Sequence, residues 1–408
     1  MKTWMAFLLL TLLSATTWAK VPAYVEENLY FDFQKSILEG GQKQKRGFTQ
    51  FDQSLYVDAL WDLVEENSPQ ALTALDQTNT FNYDLTQKLR IAILRLKYNR
   101  ALDIPQELND ELVAHLQQPI SEKSVIYLLA AYEEEILKAG HADIIELAKT
   151  HSEYFDVATD ADAKEDMTQD MLADLFYRSP DVSTYMNGEY VKSVKIFMFC
   201  RSNRIYPCLM VMRNVHGEEL RNEDGTLWTH ASLASAKSGL PSYLRNGNTP
   251  AGIFTIDSVM PAADQQISFG KFRRLILNFV PKSKNEVLFK SLLPKTSHDD
   301  AWWKTSTVAR DAGRNLFRIH GTGKSNTEPA TPYFPFMRTS GCIAQRENTY
   351  DGVTYKDQRE LLDTIMKAMD LEPIYANEPK IKGMIYVVDM DDTDAPVTLE
   401  DLNRVGIE

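Results

Sequence analysis

The chain has 408 residues, of which 44% are hydrophobic and 25% are charged, and this composition is typical of a globular protein with about two domains. Its formal net charge of −13 argues against nucleic acid as a partner, because binding phosphates requires a surplus of basic residues. We therefore expect a globular protein that binds no nucleic acid.

The first 19 residues have the layout of a secretory signal peptide. Lys2 gives a positive start, residues 4–13 form an almost unbroken apolar run, and Ala19 ends a stretch suited to cleavage. The alternative is a short N-terminal anchor, but the run is shorter than the roughly 20 residues that cross a bilayer. No later stretch is apolar enough to span a membrane, so we expect an exported mature chain without a transmembrane segment.

The pattern of residues 20–180 predicts an all-helical domain. Residues 54–66 place apolar side chains on one face at the helical period of 3.6, and Pro69, Pro105 and Gly140 mark helix boundaries. Further helices are predicted at residues 83–99, 106–117, 121–138, 142–150 and 167–177. Residues 156–166 are acidic and poor in apolar side chains, so we expect an exposed loop there.

Residues 181–408 predict a second, mainly β domain with a few helices. β-branched and aromatic runs separated by turn signals predict strands at residues 191–199, 205–212, 252–259, 273–280, 317–319 and 384–388. One amphipathic helix is predicted at residues 356–369, and residues 281–314 read as a long insertion. The expected fold class is therefore α+β.

The chain has three cysteines. Cys200 and Cys208 flank a short loop between two predicted strands, where they could form a disulfide or remain as two buried thiols on adjacent strands. In either case Cys342 is left over, and an unpaired thiol in an exported protein is a candidate nucleophile.

Cys342 and His320 carry the chemistry that the sequence indicates. A thiol attacks as its thiolate, and a nearby imidazole is the usual base that removes its proton. Gly341 precedes the cysteine and allows a tight turn that can direct backbone amides at a developing oxyanion.

Three segments of the chain resemble successive landmarks of the YkuD-type L,D-transpeptidases. Residues 249–254 match the TPxGxF strand of that family, residues 320–321 match its histidine strand beginning HG, and residues 340–342 stand at its S-H-G-C segment. The order agrees, with His320 and Cys342 separated by 22 positions. The resemblance covers about residues 191–389 and does not reach the helical half.

The resemblance implies a periplasmic enzyme that forms a thioester between Cys342 and a peptidoglycan stem peptide. His320 is then the general base, the Gly321 carbonyl orients its ring, and the amides of Gly341 and Cys342 hold the oxyanion. The implied partners are stem peptides and, as an acceptor, a wall-attached protein. It implies no cofactor and no metal, and it leaves the substrate-binding residues unknown.

Ser340 departs from the family pattern, because it stands where the second histidine would be. A divergent branch, the murein L,D-transpeptidase catalytic-domain-like proteins, also lacks that histidine, and so do related hydrolases. Cross-linking or wall attachment is therefore the leading prediction. An L,D-carboxypeptidase or amidase-type hydrolase and a non-catalytic wall-binding module are the alternatives.

Overall fold

The computed structural model describes residues 50–65, 68–119, 122–162, 167–180, 193–280, 286–300 and 302–408. The predicted signal peptide lies outside these residues. Within them the chain has an α+β architecture, with helices first and a large mixed sheet after them. None of the described helices combines the length and the apolar character that crossing a bilayer requires.

The first part of the described chain is helical. Its helices are α1 (Gln50–Glu65), α2 (Pro69–Gln77), α3 (Leu85–Lys97), α4 (Gln106–Leu116), α5 (Lys123–Ala131), α6 (Glu133–Lys138), α7 (Ala142–Lys149), α8 (Ser152–Asp162) and α9 (Gln169–Arg178). Polar caps start several of them: the Asp84 carboxylate, for example, accepts a hydrogen bond from the Gln87 amide at the start of α3.

Two sequence-based expectations about the helices are wrong. The acidic stretch predicted as a loop is helical to Asp162, because Phe155 and Ala158 bury their side chains in the helical core. Packing of an apolar stripe therefore outweighs the acidic composition. The single helix predicted at residues 121–138 is two helices, α5 and α6, that meet at Tyr132.

The second part is built on an eight-stranded sheet. Its strands are β1 (Val194–Arg201), β2 (Cys208–Arg213), β3 (His230–Ser232), β4 (Gly252–Val259), β5 (Leu275–Phe279), β6 (Arg318–Gly321), β7 (Ile343–Gln345) and β10 (Lys382–Asp391), and their order is β3-β2-β1-β10-β4-β5-β6-β7. A separate hairpin pairs β8 (Thr349–Tyr350) with β9 (Val353–Thr354). The β1–β10 and β6–β7 pairs are parallel, and the others in the large sheet are antiparallel.

Shorter helices accompany the sheet. They are α10 (Gln266–Phe269), α11 (Glu286–Ser291), α12 (Lys304–Asp311), α13 (Asp357–Ala368) and α14 (Leu399–Arg404). Among its described residues, the insertion predicted at residues 281–314 thus contains two α-helices, α11 and α12. Phe289 stacks on Trp303 there at 4.8 Å between ring centroids. Both rings also lie in one hydrophobic core with Phe197 of β1 and Tyr386 of β10, so aromatic burial holds this segment on the sheet.

The hydrophobic cores show how the helices meet the sheet. The core of α1–α8 also contains Leu240, Tyr243 and Leu244, which lie between β3 and β4, and Val308 and Ala309 of α12. In contrast, the buried residues of α9 pack in a second core with strands β1, β2 and β10. The domain boundary near residue 180 stays a prediction, and α9, which precedes it, packs on the sheet.

The sequence left open whether Cys200 and Cys208 form a disulfide or remain as two thiols. Cys200 at the end of β1 and Cys208 at the start of β2 form a disulfide. Cys342 is a free cysteine and is partly exposed.

Candidate active site

The pairing of β6 with β7 brings the two predicted catalytic residues to one place. His320 on β6 is the register partner of Ala344 on β7, and Cys342 lies two positions before Ala344. Cys342 lies in a bend directly before β7, so the pairing of the two strands sets the bend beside β6. Both His320 and Cys342 line the same cleft.

His320 has a defined tautomer and is neutral at ordinary pH. Its Nδ1 atom lies 2.6 Å from the Gly321 carbonyl oxygen, which can only accept, so Nδ1 carries the proton and Nε2 keeps a free lone pair. Burial lowers the pKa of His320 to about 4, with Arg274 and Arg318 adding to the decrease and the bond to Gly321 opposing it. The side chain also meets Phe269 edge to face at 5.0 Å.

Cys342 is surrounded by positive charge but keeps its proton. Burial raises the pKa of the thiol, and the Arg318 backbone together with the charges of Arg318, Arg314 and Arg274 opposes that increase. The Sγ atom donates to the Leu316 carbonyl at 3.9 Å. Within the described chain no hydrogen bond joins Cys342 to His320, although both side chains line the same cleft.

The loop that carries Cys342 is held by hydrogen bonds from two threonine hydroxyls to its backbone carbonyls. The Thr249 hydroxyl donates to the Gly341 carbonyl at 3.0 Å, and the Thr339 hydroxyl donates to the Cys342 carbonyl at 2.6 Å. Gly341 has a φ of +102°, and a Cβ at this position would collide with the carbonyl oxygen of Gly247. Only glycine therefore fits at this point of the turn.

The structure places the remaining predicted site residues as follows. The Gly341 amide donates to the Thr339 hydroxyl at 3.2 Å, so an oxyanion can use this amide only after that bond opens. Ser340 is exposed and lines the cleft. The carbonyl of Gly321 orients His320, in the position that the family resemblance implies.

The cleft has a volume of about 780 Å³ and lies between the sheet and the helices. Its sheet side includes Cys342 and His320, and its helical side includes Thr86 and Gln87 of α3 and Ser124 of α5. The helical region, for which the sequence indicates no site, therefore forms part of the wall of the cleft that contains the thiol.

Sequence reasoning missed three residues that shape this site. Arg314 donates to the Gly247 carbonyl at 2.9 Å and lies close enough to Cys342 to act on its thiol. Arg318 acts on the same thiol from β6. Glu347 packs against Gly321, and burial raises its pKa to about 7. Arg318 alone had a sequence signal, because it lies two positions before His320 and the predicted strand at residues 317–319 ends directly before that histidine.

No group of three or more His, Cys, Asp or Glu side chains that could hold a metal ion occurs among the residues that the structure describes. His298, which directly precedes Asp299 and Asp300 in the chain, has its Nε2 3.1 Å from the Leu293 carbonyl.

Comparisons of the whole chain with family models, curated proteins and solved structures gave no match in any of the three.

Proposed function

We propose that this protein is a cysteine acyltransferase that acts on peptidoglycan stem peptides through a thioester at Cys342. The observation that carries the proposal is the shared cleft, which is lined both by a free thiol and by a neutral imidazole whose proton is fixed on Nδ1. The resemblance of three segments to the YkuD-type L,D-transpeptidases supports the choice of substrate. The proposal includes export to the periplasm through residues 1–19.

The reaction has two halves. The thiol proton passes to Nε2 of His320 as Sγ attacks the peptide carbonyl, and an S–C bond forms. The C–N bond then breaks, and the leaving amine takes the proton from the imidazolium. An amine of a second stem, or of a wall-attached protein, next attacks the thioester carbonyl and gives its proton to His320. The C–S bond then breaks, and Sγ takes that proton from the imidazolium. The products are a cross-linked peptide and the original enzyme.

Substrate binding has to complete this geometry. In the free protein the Cys342 thiol contacts Leu316 rather than His320, and the Gly341 amide is bonded to Thr339. Catalytic hydrogen bonds are often long or unmade in a free enzyme and tighten in the substrate complex. The proposal therefore requires a rotation of the Cys342 side chain towards Nε2 of His320.

The experiment is incubation of the purified protein with tetrapeptide muropeptides, followed by mass spectrometry of both protein and products. We expect a tripeptide acyl group on Cys342 and the release of the fourth residue. His320→Ala should slow acylation by about 10²–10⁴-fold, the usual contribution of a general base. Cys342→Ala should form no adduct.

His216→Ala is the matched control, because His216 lies outside the cleft and pairs with Asp370 at 2.9 Å. Its acylation rate should equal that of the wild type. Equal rates for His320→Ala and His216→Ala would contradict the proposal.

Two further functions have specific support. Ser340, exposed where the family has a histidine, favours a hydrolase, in which water replaces the acceptor amine; tripeptides without dimers in the product spectrum would identify it. The raised thiol pKa and the missing contact with His320 favour a non-catalytic wall-binding module. In that case muropeptides would bind without acylating Cys342.

A further inference from the structure

The cleft around Cys342 has the opposite charge to the protein as a whole. Six basic side chains line it, namely Arg90, Lys237, Arg245, Arg314, Lys324 and Arg338. The acidic side chains that line it are Asp84 and Glu122, whereas the chain has a formal net charge of −13. An acidic protein with a basic cleft attracts an anionic ligand to that cleft.

Most of these cations already have partners in the protein. Arg90 pairs with Asp58 at 2.9 Å, and Arg245 lies 3.7 Å from the same carboxylate. Arg314 donates to backbone carbonyls at residues 247 and 248. Lys237 and Lys324 have partners as well. These side chains contribute positive charge to the cleft but are held by the protein itself.

Arg338, in contrast, is not paired within the described part of the protein. Its Nε atom is buried and has no hydrogen-bond partner among the described residues, and no carboxylate there forms an ion pair with its guanidinium. The guanidinium lies over the Tyr333 ring at 5.2 Å. Arg338 lines the cleft and has no carboxylate partner in the described chain, so a ligand that brings a carboxylate to the guanidinium removes the cost of an unpaired charge.

The backbone next to Arg338 is fixed relative to the thiol. Thr339 follows it and exchanges backbone hydrogen bonds with the 235–237 segment, at 3.2 Å to the Ser235 carbonyl and 2.8 Å from the Lys237 amide. Cys342 follows three residues later in the same loop. The Arg338 charge also acts on Tyr98, directly after α3, where it opposes the increase in the phenol pKa caused by burial and by Glu65. Arg338 thus lies where the loop of the nucleophile meets the helices.

We propose that Arg338 binds a carboxylate of the acyl-donor peptide. Guanidinium and carboxylate groups match in a planar, two-point hydrogen bond, which fixes orientation as well as charge. A donor held in this way lies with its backbone along the loop that carries Cys342. The ligand class is a peptide with a free carboxylate near its scissile bond. This inference rests on the proposed function, because it assigns the recognition residue for the same substrate.

The test measures binding to the Cys342→Ala protein, in which no chemistry takes place. The probes are a stem tetrapeptide and a set of derivatives in which each carboxylate is converted to a carboxamide in turn. We expect one carboxamide to bind about 10- to 100-fold more weakly than the parent, the range for a charged hydrogen-bonded pair. Adding Arg338→Gln should remove that difference and leave the affinity for the same carboxamide unchanged.

Two variants serve as controls for this measurement. Arg338→Lys keeps the charge but loses the two-point geometry, so it should retain only part of the preference for the carboxylate. Arg178→Gln removes a cation on α9 whose side chain is 78% exposed and which lies outside the cleft, and it should bind like the parent protein.

The proposal is overturned if Arg338→Gln weakens binding of every peptide equally, if it leaves all affinities unchanged, or if no peptide binds. The rate at which tetrapeptide muropeptides acylate Cys342, compared between wild type and His320→Ala, tests the proposed enzyme activity separately. A failure of Arg338 as the recognition residue is therefore distinguishable from a failure of the enzyme hypothesis.

Discussion

At the scale of single residues, the candidate nucleophile and base rest in their neutral forms. Burial lowers the pKa of His320 to about 4, so its ring is uncharged at neutral pH, and burial raises the pKa of Cys342. A thiolate–imidazolium pair would need the reverse shifts. Proton transfer must therefore accompany the attack on the substrate rather than precede it.

This resting state predicts the pH dependence of Cys342 alkylation. The rate with iodoacetamide should rise with pH and reach its midpoint above the ordinary thiol pKa, because only the thiolate reacts. Arg318→Gln should move the midpoint to still higher pH, since it removes one of the charges that favour the thiolate. The rates are measured by mass spectrometry across a pH series.

Arg404→Gln is the control for this series, because its side chain is 69% exposed and lies outside the cleft. Its profile should coincide with that of the wild type. A rate that is already maximal between about pH 5 and about pH 7 would instead indicate an ion pair and contradict the neutral resting state.

At the scale of elements, two separate segments, residues 247–249 and Arg314, lock the loop of the nucleophile. Thr249 before β4 binds the Gly341 carbonyl, Arg314 after α12 binds the Gly247 carbonyl, and Gly341 itself fits against both Gly247 and Arg314. The position of Cys342 therefore depends on residues that lie far apart in the chain.

Gly341→Ala tests this arrangement. The alanine would take a left-handed backbone, at a cost of about 1–2 kcal/mol, and its Cβ would collide with neighbours, which adds about 1–3 kcal/mol. Gly140→Ala is a matched control, because Gly140 has a similar φ of +93° and its Cβ would meet nothing within 4 Å. Urea unfolding should show a larger decrease in the free energy of unfolding for Gly341→Ala than for Gly140→Ala. The rate of Cys342 alkylation should change in Gly341→Ala alone. Equal losses would contradict the packing argument.

The sequence predicted individual elements better than their assembly. β4 has the predicted bounds, and α13 differs from its prediction by one residue at each end, because both have a strong local period. The parallel pairing of β1 with β10 joins positions almost 200 residues apart, and no local pattern encodes it. The roles of Arg314 and Glu347 depend on such long-range contacts, and they could not be predicted from the sequence for the same reason. His320 and Cys342 were found because their residue types carry a chemical signal.

At the scale of the whole molecule, the helices and the sheet share a hydrophobic core. Tyr243, from the segment between β3 and β4, is 1% exposed and packs against Tyr127 of α5 at 5.9 Å between ring centroids. Contacts of this kind set the distance between the two walls of the cleft. The helical region is thereby part of the site and not only an appendage to it.

Tyr243→Ala tests this coupling. Removing a buried aromatic ring costs about 3–5 kcal/mol, and here the loss falls on the contact between helices and sheet. We expect urea unfolding to shift to lower concentration, and peptide affinity at the cleft to fall with it. Phe81→Ala, at a side chain 69% exposed, should change stability by no more than about 0.5 kcal/mol. Unchanged peptide affinity in a folded Tyr243→Ala protein would show that the helices do not set the width of the cleft.

The unpaired thiol has one more consequence, because the same chain contains an oxidised cysteine pair at Cys200 and Cys208. Peroxides and foreign disulfides attack a cysteine mainly through its deprotonated form. Burial raises the pKa of Cys342, so less thiolate forms, and we expect slower conversion to sulfenic acid and slower formation of mixed disulfides. An environment that oxidises Cys200 and Cys208 to a disulfide can thus leave Cys342 as a reduced thiol.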